Sequence, residues 1–151
     1  MTLSLEQDVV RGLLGGWRSR EAESAALARE LCVAMARVHL RAGHDVVVPQ
    51  FVANPDYLDR LLEVGRHVGV QAIEFVLLDD ASSAERRFHA RIGDPRLAEH
   101  QRVAAVFIEQ AGGYAYQYAR LARCVAGRDL VEVRSVEGDP DATYRAVLAH
   151  L

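Results

Sequence analysis

Apolar positions recur along the chain at two spacings, one typical of helices and the other of short buried strands. The longest helical pattern covers about residues 21–42 and ends at Gly43. Its large apolar residues repeat at three- and four-residue steps: Leu27, Leu31, Met35 and Val38. This spacing predicts that these side chains form the buried face of the helix.

Short apolar runs predict four strands, at residues 2–5, 46–48, 73–78 and 130–134. Helical patterns cover the segments between and after them: residues 9–14, 54–68, 82–91, 96–126 with an interruption at 112–113, and 139–151. Asn54-Pro55-Asp56 and Asp139-Pro140-Asp141 each combine an N-cap, a proline at the first helical position and an acid in the first turn. The alternation predicts one α/β domain over residues 1–151 with a mostly parallel sheet.

Composition narrows the class of protein. Half of the residues are hydrophobic and 26% are charged, which is typical of a soluble globular domain, and the net charge of −3 argues against a non-specific nucleic-acid binder. No apolar run approaches the roughly 20 residues of a membrane span, and the acidic start is unlike a signal peptide. We therefore expect a cytoplasmic protein without a membrane or nucleic-acid partner. Cys32 and Cys124 fit no metal or redox spacing and are predicted to be buried thiols.

All 18 basic residues are arginine, because the chain contains no lysine. This excludes Schiff-base chemistry, a lysine general base and the lysine of a G-x-x-x-x-G-K-[ST] phosphate-binding loop. The six histidines do not pair at ligand spacing, and no metal site is predicted from them.

Polar side chains that follow the predicted strands are candidates for binding, since ligands lie beyond the carboxyl ends of parallel strands. Asp8 either accepts a proton from a hydroxyl group or caps the helix that follows it. Arg11 either binds an anion or is an exposed surface residue. Asp79 and Asp80 could hold a metal, although capping of the next helix is the commoner use.

Three arginines on the helix predicted at 82–91 form a further candidate. Arg87 and Arg91 lie one turn apart, and Arg86 is adjacent to them. Like charges at this spacing repel each other unless an anion lies nearby. A phosphate clamp and a solvated face beside Glu85 explain the cluster equally well.

The segment LEQDVVRGLLGGW at residues 5–17 resembles the L-D-x-D-x-x-R-x-L-L-G-G-W segment of small AAA-type P-loop ATPases, which are related to gluconate kinases, adenylylsulfate kinases and chloramphenicol phosphotransferases. Glu6 replaces the first acid of that pattern. The resemblance continues through GHDVVVPQF at 43–51, VLLD at 76–79 with Arg86-Arg87-Phe88, and SVEGD at 135–139. It covers essentially residues 3–151.

The resemblance implies a three-layer α/β/α P-loop NTPase-like fold with the parallel strand order 2-3-1-4-5. The family's first strand, phosphate-binding loop and first helix would precede Thr2 and are not in this sequence. The strands at 2–5 and 46–48 should then form one pair, and those at 73–78 and 130–134 another. We expect either direct closure of the pairs into one sheet or self-association through their unpaired edges.

The resemblance also implies transfer of the γ-phosphate of ATP, with Mg²⁺, to a small-molecule hydroxyl. Asp8 would be the base and Arg11 and Gln50 would bind the acceptor. The phosphate lid would contain Arg86, Arg87 and Arg91, and the nucleotide-base loop would contain Ser135, Gly138 and Asp139. The chain is then an inactive, truncated or mis-started product of such a kinase. Alternatively, it is a short non-catalytic binding or interaction protein derived from that family. The nucleotide sequence upstream of the Met1 codon would distinguish these two hypotheses.

Overall fold

The computed structural model describes residues 1–92, 94 and 96–151, without the side chains of residues 100 and 104. The described elements alternate as the sequence pattern predicts, so the mixed α/β class is confirmed. In chain order they are β1 Thr2–Ser4, α1 Gln7–Gly12, α2 Glu21–Arg41, β2 Asp45–Val47, α3 Pro55–Val68, β3 Phe75–Leu78, α4 Ala81–Ile92, α5 Glu99–Gln110, α6 Gly113–Val125, β4 Val131–Arg134 and α7 Pro140–Leu148.

The helix boundaries follow local chemistry where the sequence carries it. The Asn54 side chain accepts a hydrogen bond from the Tyr57 backbone N–H at 3.0 Å, which caps the start of α3. Gly69 ends α3 in the left-handed conformation, at φ 81°, which glycine adopts without steric cost. α1 instead ends at Gly12, before the predicted Gly15-Gly16 stop, because the chain turns through successive hydrogen bonds that reach back three residues.

The strands form two parallel pairs. Leu3 lies opposite Val46 in the pair of β1 with β2, and Val76 lies opposite Glu132 in the pair of β3 with β4. These are the two pairs that the resemblance implies. In the described part of the chain they remain two separate two-stranded sheets, and the closure into one four-stranded sheet is not formed.

The chain divides into two compact units. The first comprises residues 1–72 with 99–104, and the second comprises residues 73–98 with 105–151. The core of the first unit is built from Leu5, which directly follows β1, and from buried residues of α1, α2 and α3: Val10, Ala28, Cys32, Val33, Ala36, Tyr57 and Val64. The second unit buries Val76 and Val133 of its sheet, and the rings of Phe88 and Tyr114 pack with their centroids 5.5 Å apart.

The buried face of α2 differs from the predicted one. The predicted residues Leu27, Leu31, Met35 and Val38 are all exposed, and Val38 is 70% exposed. The helix instead buries its small residues: Ser24, Ala28, Cys32, Val33 and Ala36. Small side chains let α1 and α3 approach the helix closely, and this contact determines which face is covered.

The large apolar residues at the C-terminal end of the chain also lie mostly outside the core. Tyr144, Leu148 and Leu151 are exposed, and Val147 is half-buried. The prediction for the cysteines is confirmed, since Cys32 and Cys124 are both buried free thiols. Among the described helices, none has the length and apolar character needed to cross a bilayer.

Candidate functional site

Three of the predicted site residues meet in the first unit, just beyond the carboxyl ends of β1 and β2. An Asp8 Oδ1 atom lies 3.0 Å from Arg11 Nη2. The Gln50 side-chain amide donates to the other oxygen of Asp8, Oδ2, at 3.3 Å. Asp8 precedes Arg11 by three residues on α1, and the parallel register of the two strands brings Gln50 to the same edge. We call these three residues the Asp8 cluster.

Asp8 is not the N-cap of α1, so that alternative from the sequence is wrong. Glu6 occupies the N-cap position and makes no capping hydrogen bond with its side chain. The backbone N–H of Gln7 instead donates to Gln50 Oε1 at 2.7 Å. Gln50 therefore ties the start of α1 to the end of β2 and leaves the Asp8 carboxylate, about 29% exposed, accessible to solvent.

Arg11 is buried, at 4% exposure, which corrects the alternative that it is an ordinary surface arginine. Its guanidinium lies over the Trp17 ring at 5.2 Å from the ring centroid. Arg18 lies 5.0 Å from the same centroid, is exposed, and pairs with Glu99. A guanidinium held by a carboxylate and an aromatic face has one preferred orientation, so Arg11 fixes the position of Asp8.

A buried thiol and phenol lie in the core of the same unit. Cys32 and Tyr57 are among its most deeply buried side chains. Burial, and to a smaller extent the charge of Asp8, raises the pKa of the Cys32 thiol. Burial also raises the pKa of the Tyr57 hydroxyl. Both groups are therefore neutral at physiological pH and serve as packing groups.

A surface pocket of about 460 Å³ lies along the turn that leaves α1. Residues 12–18 line it together with Glu99. The Asp8 carboxylate is not part of this lining. The pocket and the Asp8 cluster are thus separate features that share Trp17 as a common neighbour.

A second cluster of polar residues lies in the second unit, beyond the carboxyl ends of β3 and β4. Asp80 Oδ1 accepts hydrogen bonds from the backbone N–H groups of Ser82 and Ser83, at 3.0 and 3.1 Å, and from the Ser82 hydroxyl. These hydrogen bonds hold the pKa of Asp80 below its usual value, the Ser82 hydroxyl contributing most. Asp80 therefore caps α4, the commoner of the two uses expected from the sequence.

Two of the three arginines of α4 are paired with acids, so the three do not form a free cationic cluster. Arg87 forms an ion pair with Asp79. Arg86 donates to the Ser82 hydroxyl at 3.2 Å and lies 3.9 Å from Glu137. Arg91 is exposed and forms no ion pair with the part of the chain that is described.

The segment after β4 leads into the cap of α7. The Ser135 backbone N–H donates to the Leu78 carbonyl at 2.7 Å, which extends the sheet by one hydrogen bond. Gly138 takes a φ of 78°, and the Asp139 side chain accepts from the Ala142 N–H at 2.8 Å. Asp139 is therefore occupied as a helix cap.

Sequence reasoning missed two residues of these clusters. Trp17 was not singled out, although its position six residues after Arg11 placed it within reach. Glu137 accepts from the Ser83 hydroxyl at 2.9 Å, a contact between two elements 54 residues apart that no local pattern encodes. Within the described residues, no group of three or more histidine, cysteine, aspartate or glutamate side chains could hold a metal ion.

Comparison of this chain with protein-family models, with curated proteins and with solved structures finds no match. The resemblance to P-loop kinases therefore remains a prediction from the sequence segments that carry it.

Proposed function

We propose that the chain is the acceptor-binding portion of a P-loop kinase-like domain and that it binds a small molecule through a hydroxyl group. The Asp8 cluster is the observation that carries this proposal. A carboxylate whose two oxygens are held by Arg11 and Gln50 has a fixed orientation, and its exposed side is free to accept a hydrogen bond from an alcohol. The three-layer P-loop fold is part of the same proposal, supported by the two parallel strand pairs.

The described residues do not fit a complete site for ATP and Mg²⁺. Two of the three arginines that would form the phosphate lid, Arg87 and Arg86, already face Asp79 and Glu137. Asp80 is used as a helix cap, and the sequence has neither a lysine nor a G-x-x-x-x-G-K-[ST] loop. The proposal for this chain is therefore binding of the acceptor, without transfer of phosphate.

The role of each residue in this binding follows from its contacts. Asp8 accepts a hydrogen bond from the hydroxyl group, and Arg11 holds the Asp8 carboxylate in place. Gln50 holds the second oxygen of Asp8 and joins it to the start of α1. Arg11 itself is covered by Trp17, so it acts through Asp8 as a positioning residue.

Calorimetric titration with D-gluconate, adenylylsulfate and chloramphenicol, the acceptors named by the resembling families, tests the proposal. We expect wild type to bind at least one of them, and Asp8→Asn to bind it ten- to a hundred-fold less tightly, since a hydrogen bond to a charged group contributes about 1.5–3 kcal/mol. Asp45→Asn is the matched control, because Asp45 is an exposed carboxylate at the start of β2 in the same unit. Equal affinities of the two variants, or no binding of any probe, would count against the proposal.

A non-catalytic interaction protein is the second candidate, and the exposed apolar residues of α2 favour it. Large apolar side chains that share one helix face are more often an interaction surface than a solvated one. The two candidates are compatible, since the α2 surface and the Asp8 cluster use different residues.

A further inference from the structure

Two histidines lie side by side at the carboxyl end of α2. His39 lies in the last turn of the helix, and His44 follows the turn that ends it. The centroids of the two imidazole rings are 5.1 Å apart. A separation of five residues would place the two side chains on different faces of a continuous helix, so they meet only because the helix ends between them.

The turn between the two histidines is a Schellman motif. The Gly43 N–H donates to the Leu40 carbonyl at 2.9 Å, and the His44 N–H donates to the His39 carbonyl at 3.3 Å. Gly43 has a φ of 78°, which glycine adopts without steric cost. This motif brings the side chains at its two ends into contact, and here both ends are histidine. The backbone of the turn therefore holds the two imidazoles together.

The pairing of β1 with β2 brings the main chain of Met1 to the same place. Thr2 lies opposite Asp45, so Met1 runs beside His44. His39 Nε2 lies 3.2 Å from the Met1 carbonyl oxygen, and His44 Nδ1 lies 3.4 Å from the Met1 nitrogen. Two imidazole nitrogens and the polar atoms of one main-chain residue thus converge, although Met1 is 38 and 43 positions from the two histidines.

We propose that His39, His44 and Met1 form a binding site for a zinc ion. The ligands are His39 Nε2, His44 Nδ1 and the Met1 carbonyl oxygen, and the fourth position is taken by the Met1 nitrogen as a free amine or by water. The histidine side chains supply two of the ligands, and the main chain supplies the others. The site shares no residue with the Asp8 cluster and does not depend on the function proposed for it.

The distances between these atoms are those of a tetrahedral site. With bonds of about 2.0–2.1 Å to zinc, neighbouring ligand atoms are about 3.3 Å apart and two bound imidazoles have their ring centres about 5 Å apart. The distances from the two imidazoles to Met1 are 3.2 and 3.4 Å, and the ring centroids are 5.1 Å apart. A zinc ion would therefore require little movement of the ligands.

The chemistry of the donors and the position in the fold both favour this ion. Imidazole nitrogen suits zinc, whereas magnesium and calcium prefer carboxylate and other oxygen ligands. A square-planar copper ion would need neighbouring donors at about 2.8 Å, closer than those here. The carbonyl groups of the last turn of α2 also carry partial negative charge, which favours a cation at this end of the helix.

The alternative is that the histidines only hydrogen-bond the Met1 main chain and so hold β1 in place. Glutamine at either position distinguishes the two roles. Its side-chain amide can still form a hydrogen bond with the main chain, but it lacks the imidazole nitrogen that binds zinc. His39→Gln and His44→Gln should therefore lose the ion and keep the fold.

Calorimetric titration of the metal-free 151-residue chain with zinc chloride tests the site, on protein whose intact mass includes Met1. We expect one zinc ion per chain, and binding at least tenfold weaker in His39→Gln and in His44→Gln, since each lacks one ligand. His67→Gln is the matched control, because His67 is an exposed histidine in the last turn of α3 and in the same unit. Its affinity should equal that of wild type.

Two further measurements separate a built site from weak binding to surface imidazoles. Zinc should raise the Tm of wild type and of His67→Gln, but not of the other two variants, because the ion binds only when Met1 and His44 are held together in the folded chain. Cobalt(II) in place of zinc should give the intense visible absorption of a tetrahedral site in wild type alone among wild type, His39→Gln and His44→Gln. Circular dichroism checks that each variant is folded.

Three results would overturn the proposal. The first is the absence of zinc binding to wild type at up to about 100 µM. The second is equal affinity in wild type and in both variants of the proposed ligands, which would leave the histidines with a hydrogen-bonding role only. The third is an equal loss of affinity in His67→Gln, which would mean that zinc binds to surface imidazoles in general.

Discussion

At the scale of single residues, the buried arginine is the feature on which the candidate site depends. Arg11 and Arg18 both lie over the Trp17 ring, with their guanidinium groups 5.2 and 5.0 Å from its centroid. Only Arg11 is buried and paired with the partly buried Asp8, whereas Arg18 pairs with the exposed Glu99. The same residue type at the same ring thus gives an internal comparison of a buried with an exposed cation.

We predict that Arg11→Ala lowers the free energy of unfolding by about 2–4 kcal/mol, because it removes packing on Trp17 and leaves Asp8 without its cation. Arg18→Ala should cost less than about 1 kcal/mol, as expected for an exposed ion pair. Urea unfolding of both variants measures the difference. Equal losses of stability would show that burial of Arg11 has no energetic consequence.

A second residue-scale prediction concerns Asp80 and acid. Hydrogen bonds from Ser82 and Ser83 lower the pKa of Asp80 in the folded state. The resulting stabilisation is present above the unfolded pKa of about 3.9 and is lost as the pH falls through the lower folded value. Asp80→Asn should therefore reduce the acid dependence of Tm below about pH 4.

Asp56→Asn is the control for Asp80, because Asp56 lies in the first turn of α3 and makes no hydrogen bond with the described residues. Its profile of Tm against pH should run parallel to that of wild type. If both variants flatten the profile equally, removal of a negative charge from the chain, rather than the cap of α4, accounts for the effect.

At the scale of the elements, helix starts were predictable and helix faces were not. The Asn54-Pro55 start and the Gly69 end of α3 depend on contacts within a few residues, so the sequence alone carries them. The buried face of α2 depends on which side α1 and α3 approach. The spacing of the apolar residues predicted that the large side chains of α2 are buried. The structure instead buries the face with small side chains, because that face lets α1 and α3 approach closely.

The cap of α3 leads to a prediction of its own. Asn54→Ala removes the acceptor for the Tyr57 N–H and should lower the free energy of unfolding by about 1 kcal/mol. Asn54→Asp keeps an oxygen in the same place and should stay within a few tenths of a kcal/mol of wild type. Urea unfolding compares the three proteins. An alanine variant as stable as the aspartate variant would mean that the cap does not contribute.

At the scale of the whole molecule, the strand pairs and the Asp8 cluster were predictable in different ways. The pairing of β1 with β2 and of β3 with β4 was inferred from the resemblance, and both pairs are present. Asp8 and Arg11 are neighbours on one helical turn, so their contact follows from spacing. The contact of Gln50 with Asp8 joins residues 42 positions apart and follows only from the parallel sheet. The pairing of Arg87 with Asp79 similarly depends on how α4 packs after β3.

The last prediction concerns ATP and follows from the chain as a whole. Phosphoryl transfer depends on a cradle that positions the phosphates and neutralises their charge, and this sequence contains no lysine and no loop of that kind. The arginines that face the carboxyl end of β3 do not replace it, because Asp79 and Glu137 already pair with Arg87 and Arg86. We therefore expect the purified 151-residue chain to show no ATP turnover above the uncatalysed rate, with or without the acceptors named above. Release of phosphate from ATP, followed with Mg²⁺ present and absent, is the measurement. Turnover that requires Mg²⁺ and is abolished by Asp8→Asn but not by Asp45→Asn would contradict this expectation.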